Sequence, residues 1–268
     1  MRDELTKSSS ETSGLSIDPV ALGQQSLRTP LRKRFYKIAE AAPFKDEFAV
    51  VLDGRPVLTP AKTRLSLPTL AAAQAVAAEW QAQGEAVDPT AMPLTRILNA
   101  AVDGVAGAMD AVAEDVVKYA GTDLVCYRAG EPESLVKAQA EAWDPILAFA
   151  EADMGARFLY AEGVIHVAQP AASLAAVRAK LDRLTGSGAE APIMLACLSV
   201  MTTLTGSALI ALARVSGAMS LEQAWAAAHI DEDFQMRLWG ADREAMDRRA
   251  QRFAEMAAAD RLWQLVRA

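Results

Sequence analysis

Apolar residues recur every three or four positions through most of the chain after residue 93, which is the spacing of amphipathic helices. The pattern predicts helices over residues 94–105, 109–120, 135–152, 171–184 and 242–267. Runs typical of strands lie mostly before residue 93. The sequence therefore predicts an α+β fold, with a small N-terminal domain of antiparallel sheet plus helix and a larger, mainly helical C-terminal domain.

Two runs rich in aromatic and β-branched residues, 34–42 and 48–52, indicate a small sheet. Asp53-Gly54 follows the second run and precedes another apolar stretch. Both residues tolerate the positive φ of a type I′ turn, so a hairpin is predicted here. Pro56 and Pro60 limit the strand after the turn and favour an edge position for it.

A helix is predicted from Pro68 to about Gln83, with Gly84 ending it. Trp80, near its end, is expected to pack in the core. Met92-Pro93 marks an irregular connection, after which strand signals almost vanish. We therefore predict three parts, which are a tail (1–30), an N-terminal β-rich domain (31–92) and a C-terminal helical domain (93–268).

Two stretches of the C-terminal part depart from simple amphipathic helices. Residues 156–167 contain two short β-like runs around Glu162-Gly163 and predict a small hairpin. Residues 191–213 carry no charge and could span a bilayer by length. Polar residues interrupt that run, so two buried helices meeting near Gly206 are favoured, and peripheral membrane association is the alternative.

The stretch 220–240 concentrates acids, two tryptophans and a histidine. If residues 221–239 form one helix, Trp225, Glu232 and Trp239 share a stripe. Asp231 and Asp233 then project to either side of Glu232. A carboxylate on an apolar face needs a partner, because leaving it desolvated and unpaired costs several kcal/mol. We therefore take this stretch as the candidate site, with a structural salt bridge as the alternative.

Composition excludes several functions. A net charge of −7 argues against nucleic-acid binding, which requires a clustered basic face. Cys126 and Cys197 are the only cysteines, which leaves no disulfide framework and no CxxC motif. The first nineteen residues mix acids with Ser and Thr and have no apolar segment typical of a signal peptide. These features predict a cytoplasmic protein with reduced thiols.

Catalytic motifs are missing from the sequence. There is no GxxxxGK[ST] phosphate loop and no GxSxG nucleophile motif. His166 and His229 are the only histidines, and a His229-x-x-Glu232 pair would supply two metal ligands at most. We therefore expect a protein that is not an enzyme, with no catalytic residue, cofactor or metal. A metal-dependent enzyme using His229 and Glu232 is the alternative.

Five ordered motifs carry a family resemblance, and they are RFYK, VVLDGRPVLTP, AAEW, MPLTRILNAAVD and DEDFQMRLWG. Together they resemble the Atp12 family of F1-ATPase assembly chaperones, from about Arg34 to about Trp263. The resemblance implies a β-containing N-terminal domain, a helical C-terminal domain and no turnover. It also implies that the protein holds the F1 α subunit, and prevents its aggregation, until α pairs with β.

The resemblance also assigns residues and a setting. The family has a functional acidic position shortly before a Gln and a Trp-Gly pair, and Glu232 is its best match, with Asp231 or Asp233 as alternatives. We predict that these three acids, with Trp225 and Trp239, form or shape the docking surface for α. The protein is expected to be a monomer without membrane insertion, in the bacterial cytoplasm or, in a eukaryote, the mitochondrial matrix.

Overall fold

The structure is a computed structural model, and it describes residues 31–163 and 165–268. The predicted tail, residues 1–30, lies outside the described residues. Strands lie mainly in the first third of the described chain and helices dominate the remainder, so the predicted α+β class is confirmed.

The N-terminal sheet is antiparallel, as predicted. Its strands are β2 (Ala39–Phe44), β3 (Glu47–Leu52), β4 (Arg55–Pro56) and β5 (Ser66–Leu67), and β3 pairs with the other three. Two further strands, β1 (Arg32–Lys33) and β6 (Ala86–Val87), form a separate antiparallel pair. The first predicted strand was placed too early, since pairing with β3 begins at Ala39.

The predicted hairpin at Asp53-Gly54 is confirmed. These residues have φ of 48° and 76°, as a type I′ turn requires, and they join β3 to β4. The Asp53 carboxylate also accepts hydrogen bonds from the backbone N–H groups of Lys37 and Ile38, which lower its pKa. Strand β4 is two residues long and lies at the edge of the sheet, as the prolines predict.

Helix α1 (Leu70–Gln81) packs on β2 and β3. Its Thr69 cap accepts a hydrogen bond from the Ala72 N–H. The helix ends at Gln81 with Ala82 as its C-cap, two residues before the predicted Gly84. Glu79 accepts bonds from the N–H groups of Leu94 and Thr95 at 2.7 and 2.8 Å. These bonds connect the two sides of the predicted domain boundary, which stays a prediction.

The helical part contains nine helices among the described residues, all after residue 92. They are α2 (Pro93–Asp103), α3 (Met109–Gly121), α4 (Glu133–Met154), α5 (Ala171–Thr185), α6 (Ala191–Thr205), α7 (Ala208–Val215), α8 (Leu221–Ala228), α9 (Ile230–Trp239) and α10 (Arg243–Val266). Asp242 caps α10 by accepting from the Ala245 N–H. The other predicted helices agree to within a few residues.

Helix α6 is central to this part. Thirteen of its fifteen residues are buried, and it contacts α2, α3, α7 and α10. Gly206, at φ 66°, ends it, and Ser207 caps α7. The uncharged run is therefore two buried helices meeting at Gly206, as predicted. Within the described residues, no helix has both the length and the apolar character to cross a membrane.

The predicted hairpin around Glu162-Gly163 is wrong. Strand β8 (Ala161–Glu162) pairs in parallel with β7 (Tyr127–Arg128), which comes from a distant part of the sequence. The Gly163 N–H donates to the Arg128 carbonyl at 2.8 Å and continues this pairing. The β-like run at Ala161–Glu162 therefore pairs with a distant segment and not with its neighbour in the sequence. No pattern in the sequence marked β7 as its partner strand.

Candidate protein-binding site

The stretch 221–239 is not one helix, contrary to the prediction. Helix α8 ends at Ala228, and α9 begins at Ile230. His229 lies between them with φ −122° and ψ 21°, outside the helical region. Because the helical register is interrupted there, Trp225, Glu232 and Trp239 do not share a stripe.

The His229 side chain accounts for this break. Its Nδ1 lies 2.8 Å from the Trp225 carbonyl oxygen, and its ring packs on the Trp225 indole with centroids 3.9 Å apart. The Phe253 ring of α10 also packs on the Trp225 indole, with ring centroids 5.4 Å apart. His229 is 4% exposed, and burial lowers its pKa, partly offset by the bond to the carbonyl. His229 and Trp225 are thus packing residues.

The three acids occupy the first turn of α9. A helix N-terminus carries a partial positive charge, so acids in the first turn stabilise the helix by about 0.3–1 kcal/mol each. Asp231 accepts a hydrogen bond from Gln139 Nε2 at 2.6 Å. Asp233 pairs with Arg249 of α10. Two of the three acids therefore connect α9 to the helices behind it.

Glu232 differs from both neighbours. It is exposed and forms neither a hydrogen bond nor a salt bridge with any residue that the structure describes. The expectation that it emerges from an apolar face is therefore wrong, because the break at His229 rotates it toward solvent. Trp239 is also exposed, at 87%, whereas Trp225 is 8% exposed. Of the five candidates, Glu232 and Trp239 are the most accessible.

An apolar groove of about 830 Å³ lies beside the acids. Helices α4, α8 and α9 form most of it, and Met246 of α10 completes one side. Its apolar lining includes Ala142, Pro145, Met219, Ala227, Ile230 and Met236. Glu141, Asp233 and Arg237 also line it, so two acids and one base lie at an otherwise apolar surface. We call this the α9 groove.

The walls of the α9 groove are fixed by polar contacts. Trp143 of α4 is 1% exposed and donates its indole N–H to the Ala227 carbonyl at 2.7 Å. Gln139 binds Asp231 and also accepts from the Ala129 N–H at 2.8 Å. Because α4 contacts both α8 and α9 in this way, the groove is formed in the chain alone, without a partner.

Metal ligation does not match this geometry. His229 Nδ1 faces the Trp225 carbonyl, and Glu232 points to solvent. In the described part of the chain, no three His, Cys, Asp or Glu side chains are placed to hold a metal ion. Cys126 and Cys197 are buried and unpaired, and burial raises the pKa of each thiol, that of Cys126 to about 12.

Sequence reasoning missed the residues that hold the acids and build the groove. Gln139, Trp143 and Arg249 lie 92, 84 and 16 positions from their partners. No local pattern connects residues at such separations. The groove between α4 and α9, which brings Ile230 and Met236 to one surface, was not predicted either.

Comparisons with known proteins agree with this architecture. A family model described as ATP12 chaperone protein matches residues 33–151. A solved protein of Agrobacterium tumefaciens, described as a candidate chaperone, is 44% identical, with TM-score 0.83 and coverage of 92% of this chain and 91% of that chain. Atp12 from Paracoccus denitrificans is 42% identical, with TM-score 0.79 and coverage of 88% and 98%. An aspartate-to-lysine mutant of the Paracoccus protein is 41% identical, with the same TM-score and coverage.

An open apolar groove beside a solvent-facing acid is typical of a protein-binding surface. Chaperones bind other proteins, and the matched family and the Agrobacterium relative are described as chaperones. The chain belongs to the ATP12 chaperone family, as the resemblance predicted.

Proposed function

We propose that this protein is an assembly chaperone that binds the F1-ATPase α subunit and prevents its aggregation until α pairs with β. Membership of the ATP12 family supports the assembly role. The observation that carries the docking site is the contrast among three adjacent acids. Asp231 and Asp233 are bound within the fold, whereas Glu232 is exposed. Glu232 and Trp239 are not part of the groove lining, but Glu232 lies one helical turn before Met236, which lines it.

The groove suits a client that exposes an apolar segment with a positive charge. Apolar side chains would be buried against Ile230 and Met236, and a client Lys or Arg would pair with Glu232. Such a charge pair sets register and speeds encounter more than it adds affinity. This balance suits a chaperone, because the client must be released when its permanent partner arrives.

The remaining candidates have different roles in this proposal. Trp239, at 87% exposed, contacts the client directly. Trp225 is buried and shapes the surface through His229 and Phe253. Asp231 and Asp233 set the position of α9. The protein acts as a monomer without a cofactor, in the compartment where F1 is assembled, which is the bacterial cytoplasm or the mitochondrial matrix.

Co-expression tests this function directly. Isolated F1 α is expressed with the tagged chain and without β, and the soluble fraction is captured on the tag. We expect α to stay soluble and to be retained, and added β to release it. If α precipitates equally with and without the chain, or if β alone is retained, the proposal is wrong.

A further inference from the structure

A second groove lies in the N-terminal part of the protein. It measures about 780 Å³ and is lined by residues of β1, β4 and the segments beside them. Leu31, Phe35 and Leu58 line it and are 56%, 70% and 53% exposed. We call it the β4 groove. Three large apolar side chains with this exposure on one concave surface mark an interaction site.

The β4 groove carries two arginines that the fold does not use. Arg32 and Arg55 line it, are exposed and form no salt bridge with any residue that the structure describes. Their neighbour Arg34 is different, because it donates to the carbonyls of Tyr36, Gln83 and Lys37. The free arginines thus coincide with the apolar groove, in a chain whose net charge is −7.

Acids near this groove reduce its positive charge but do not cancel it. Asp53 lines the groove and Asp88 lies between two lining residues, against Arg32, Arg55 and the lysines beside them. The Asp53 carboxylate accepts hydrogen bonds from the Lys37 and Ile38 N–H groups and is held in the turn between β3 and β4. Lys33 and Lys37 are exposed close by in the sequence. An acidic ligand therefore meets a local excess of positive charge at the β4 groove. At the α9 groove, by contrast, two acids and one base line the surface.

Backbone and indole groups indicate the form of the ligand. Strand β1 pairs on one side only within the described chain, so an extended segment could add beside it. Strand β4 offers little free edge, because Pro56 has no N–H and the Val57 carbonyl already accepts from Leu65. Trp80 also lines the groove, and its buried indole N–H has no acceptor among the described residues. That nitrogen is closed to a ligand, and the partly exposed remainder of the Trp80 ring adds apolar surface to the groove.

We propose that the β4 groove binds an extended, acidic segment of a partner protein that carries bulky apolar side chains. Carboxylates of the segment pair with Arg32 and Arg55, and its apolar side chains contact Phe35 and Leu58. A peptide fits better than a membrane, because the surface is a concave groove. This site is separate from the α9 groove and does not depend on the proposed function.

Fluorescence anisotropy tests the proposal with the full chain. The probe is a fluorescein-labelled synthetic peptide in which leucine and phenylalanine alternate with glutamate, and a second peptide replaces each glutamate by lysine. We expect the acidic peptide to bind and the basic one not to bind. The double variant Arg32→Glu/Arg55→Glu should weaken binding by about tenfold or more. Lys45→Glu, at the exposed turn between β2 and β3, should leave it unchanged.

Four results would overturn the proposal. The first is that the acidic and basic peptides bind the wild type equally well, or that the double variant binds the acidic peptide as well as the wild type does. The second is sedimentation of the wild type, but not the double variant, with phosphatidylserine vesicles. The third is self-association that the double variant abolishes, which would make a second copy the occupant. The fourth is displacement of the probe by a synthetic peptide of residues 1–30 at equal concentration, which would make the chain its own ligand.

Discussion

Helices α6 and α9 lie in the same half of the protein and differ in almost every physical respect. Thirteen of the fifteen residues of α6 are buried, and it contacts helices on several sides. None of the ten residues of α9, all of which the structure describes, is buried. Helix α9 is held instead by Asp231, Asp233 and the break at His229. The core thus depends on α6, which leaves α9 free to present side chains to a partner.

The largest stability effect is expected at a buried ion pair beside α6. Arg214 of α7 donates to Asp260 of α10 at 2.9 Å, and Asp260 is 6% exposed. Asp260→Ala leaves the largely buried Arg214 guanidinium without its carboxylate and should cost about 3 kcal/mol. The matched change in α9, Asp233→Ala, breaks a more exposed pair and should cost about 1 kcal/mol or less. Urea unfolding measures both, and equal losses would contradict the comparison.

Leucine-to-alanine substitutions test the same difference between α6 and α9 without changing any charge. Leu198 of α6 is fully buried, and Leu238 of α9 is 62% exposed. Leu198→Ala should lower the free energy of unfolding by about 2–5 kcal/mol through lost burial and a residual cavity. Leu238→Ala should change it by about 0.5 kcal/mol or less. A Leu238→Ala loss close to that of Leu198→Ala would show that α9 belongs to the core.

The buried His229, between α8 and α9, should make the free energy of unfolding depend on pH. Burial lowers its pKa below the usual 6.5, so the folded state favours the neutral ring. This stabilisation is fully present above the unfolded pKa, near 6.5, and is lost as pH falls through the folded pKa. His229→Asn keeps a donor near the Trp225 carbonyl and should remove this component below pH 6.5.

Thermal unfolding between pH 8 and pH 5 measures the effect as a difference between variants. The exposed His166 supplies the control, His166→Asn. A wild type and a His229→Asn variant with parallel pH profiles would rule out the buried histidine as the cause.

Local chemistry explains which features the sequence predicted. Asp53-Gly54 and Gly206 have the positive φ that their turns need, so both turns were predicted from a few residues. The break at His229 was not predicted, since no glycine or proline marks it and the apolar spacing continues through it. It depends on the bond from His229 to the Trp225 carbonyl. The pairing of β7 with β8 and the contact of Gln139 with Asp231 join distant segments, which periodicity cannot connect.

The same limit applies to the candidate site. The acidic cluster was visible in the sequence, where the pattern set Glu232 apart only by the stripe of a single helix, which the break at His229 removes. Only the positions of Gln139 and Arg249 separate Glu232 from Asp231 and Asp233. The choice of Glu232 came first from that stripe and then from the family resemblance, and its exposure in the fold now gives a physical reason for it.

Glu232 should affect stability least. It is exposed and unpaired among the described residues, so Glu232→Gln should change the free energy of unfolding by about 0.5 kcal/mol or less. Glu232→Lys places a cation at a helix N-terminus and should cost up to about 1 kcal/mol. Asp110→Lys is the control for a cation at an exposed first-turn position, since Asp110 lies in the first turn of α3 and is 93% exposed. It also breaks the ion pair of Asp110 with Arg178, so its stability loss should be at least as large as that of Glu232→Lys.

The most direct test combines that stability measurement with protection of the client. Aggregation of F1 α is followed by light scattering with the wild type, Glu232→Lys and Asp110→Lys, each checked for folding by urea unfolding. The account predicts that Glu232→Lys folds but loses most of its protection, while Asp110→Lys protects like the wild type. Full protection by a folded Glu232→Lys variant would contradict the assignment of Glu232 to the docking surface.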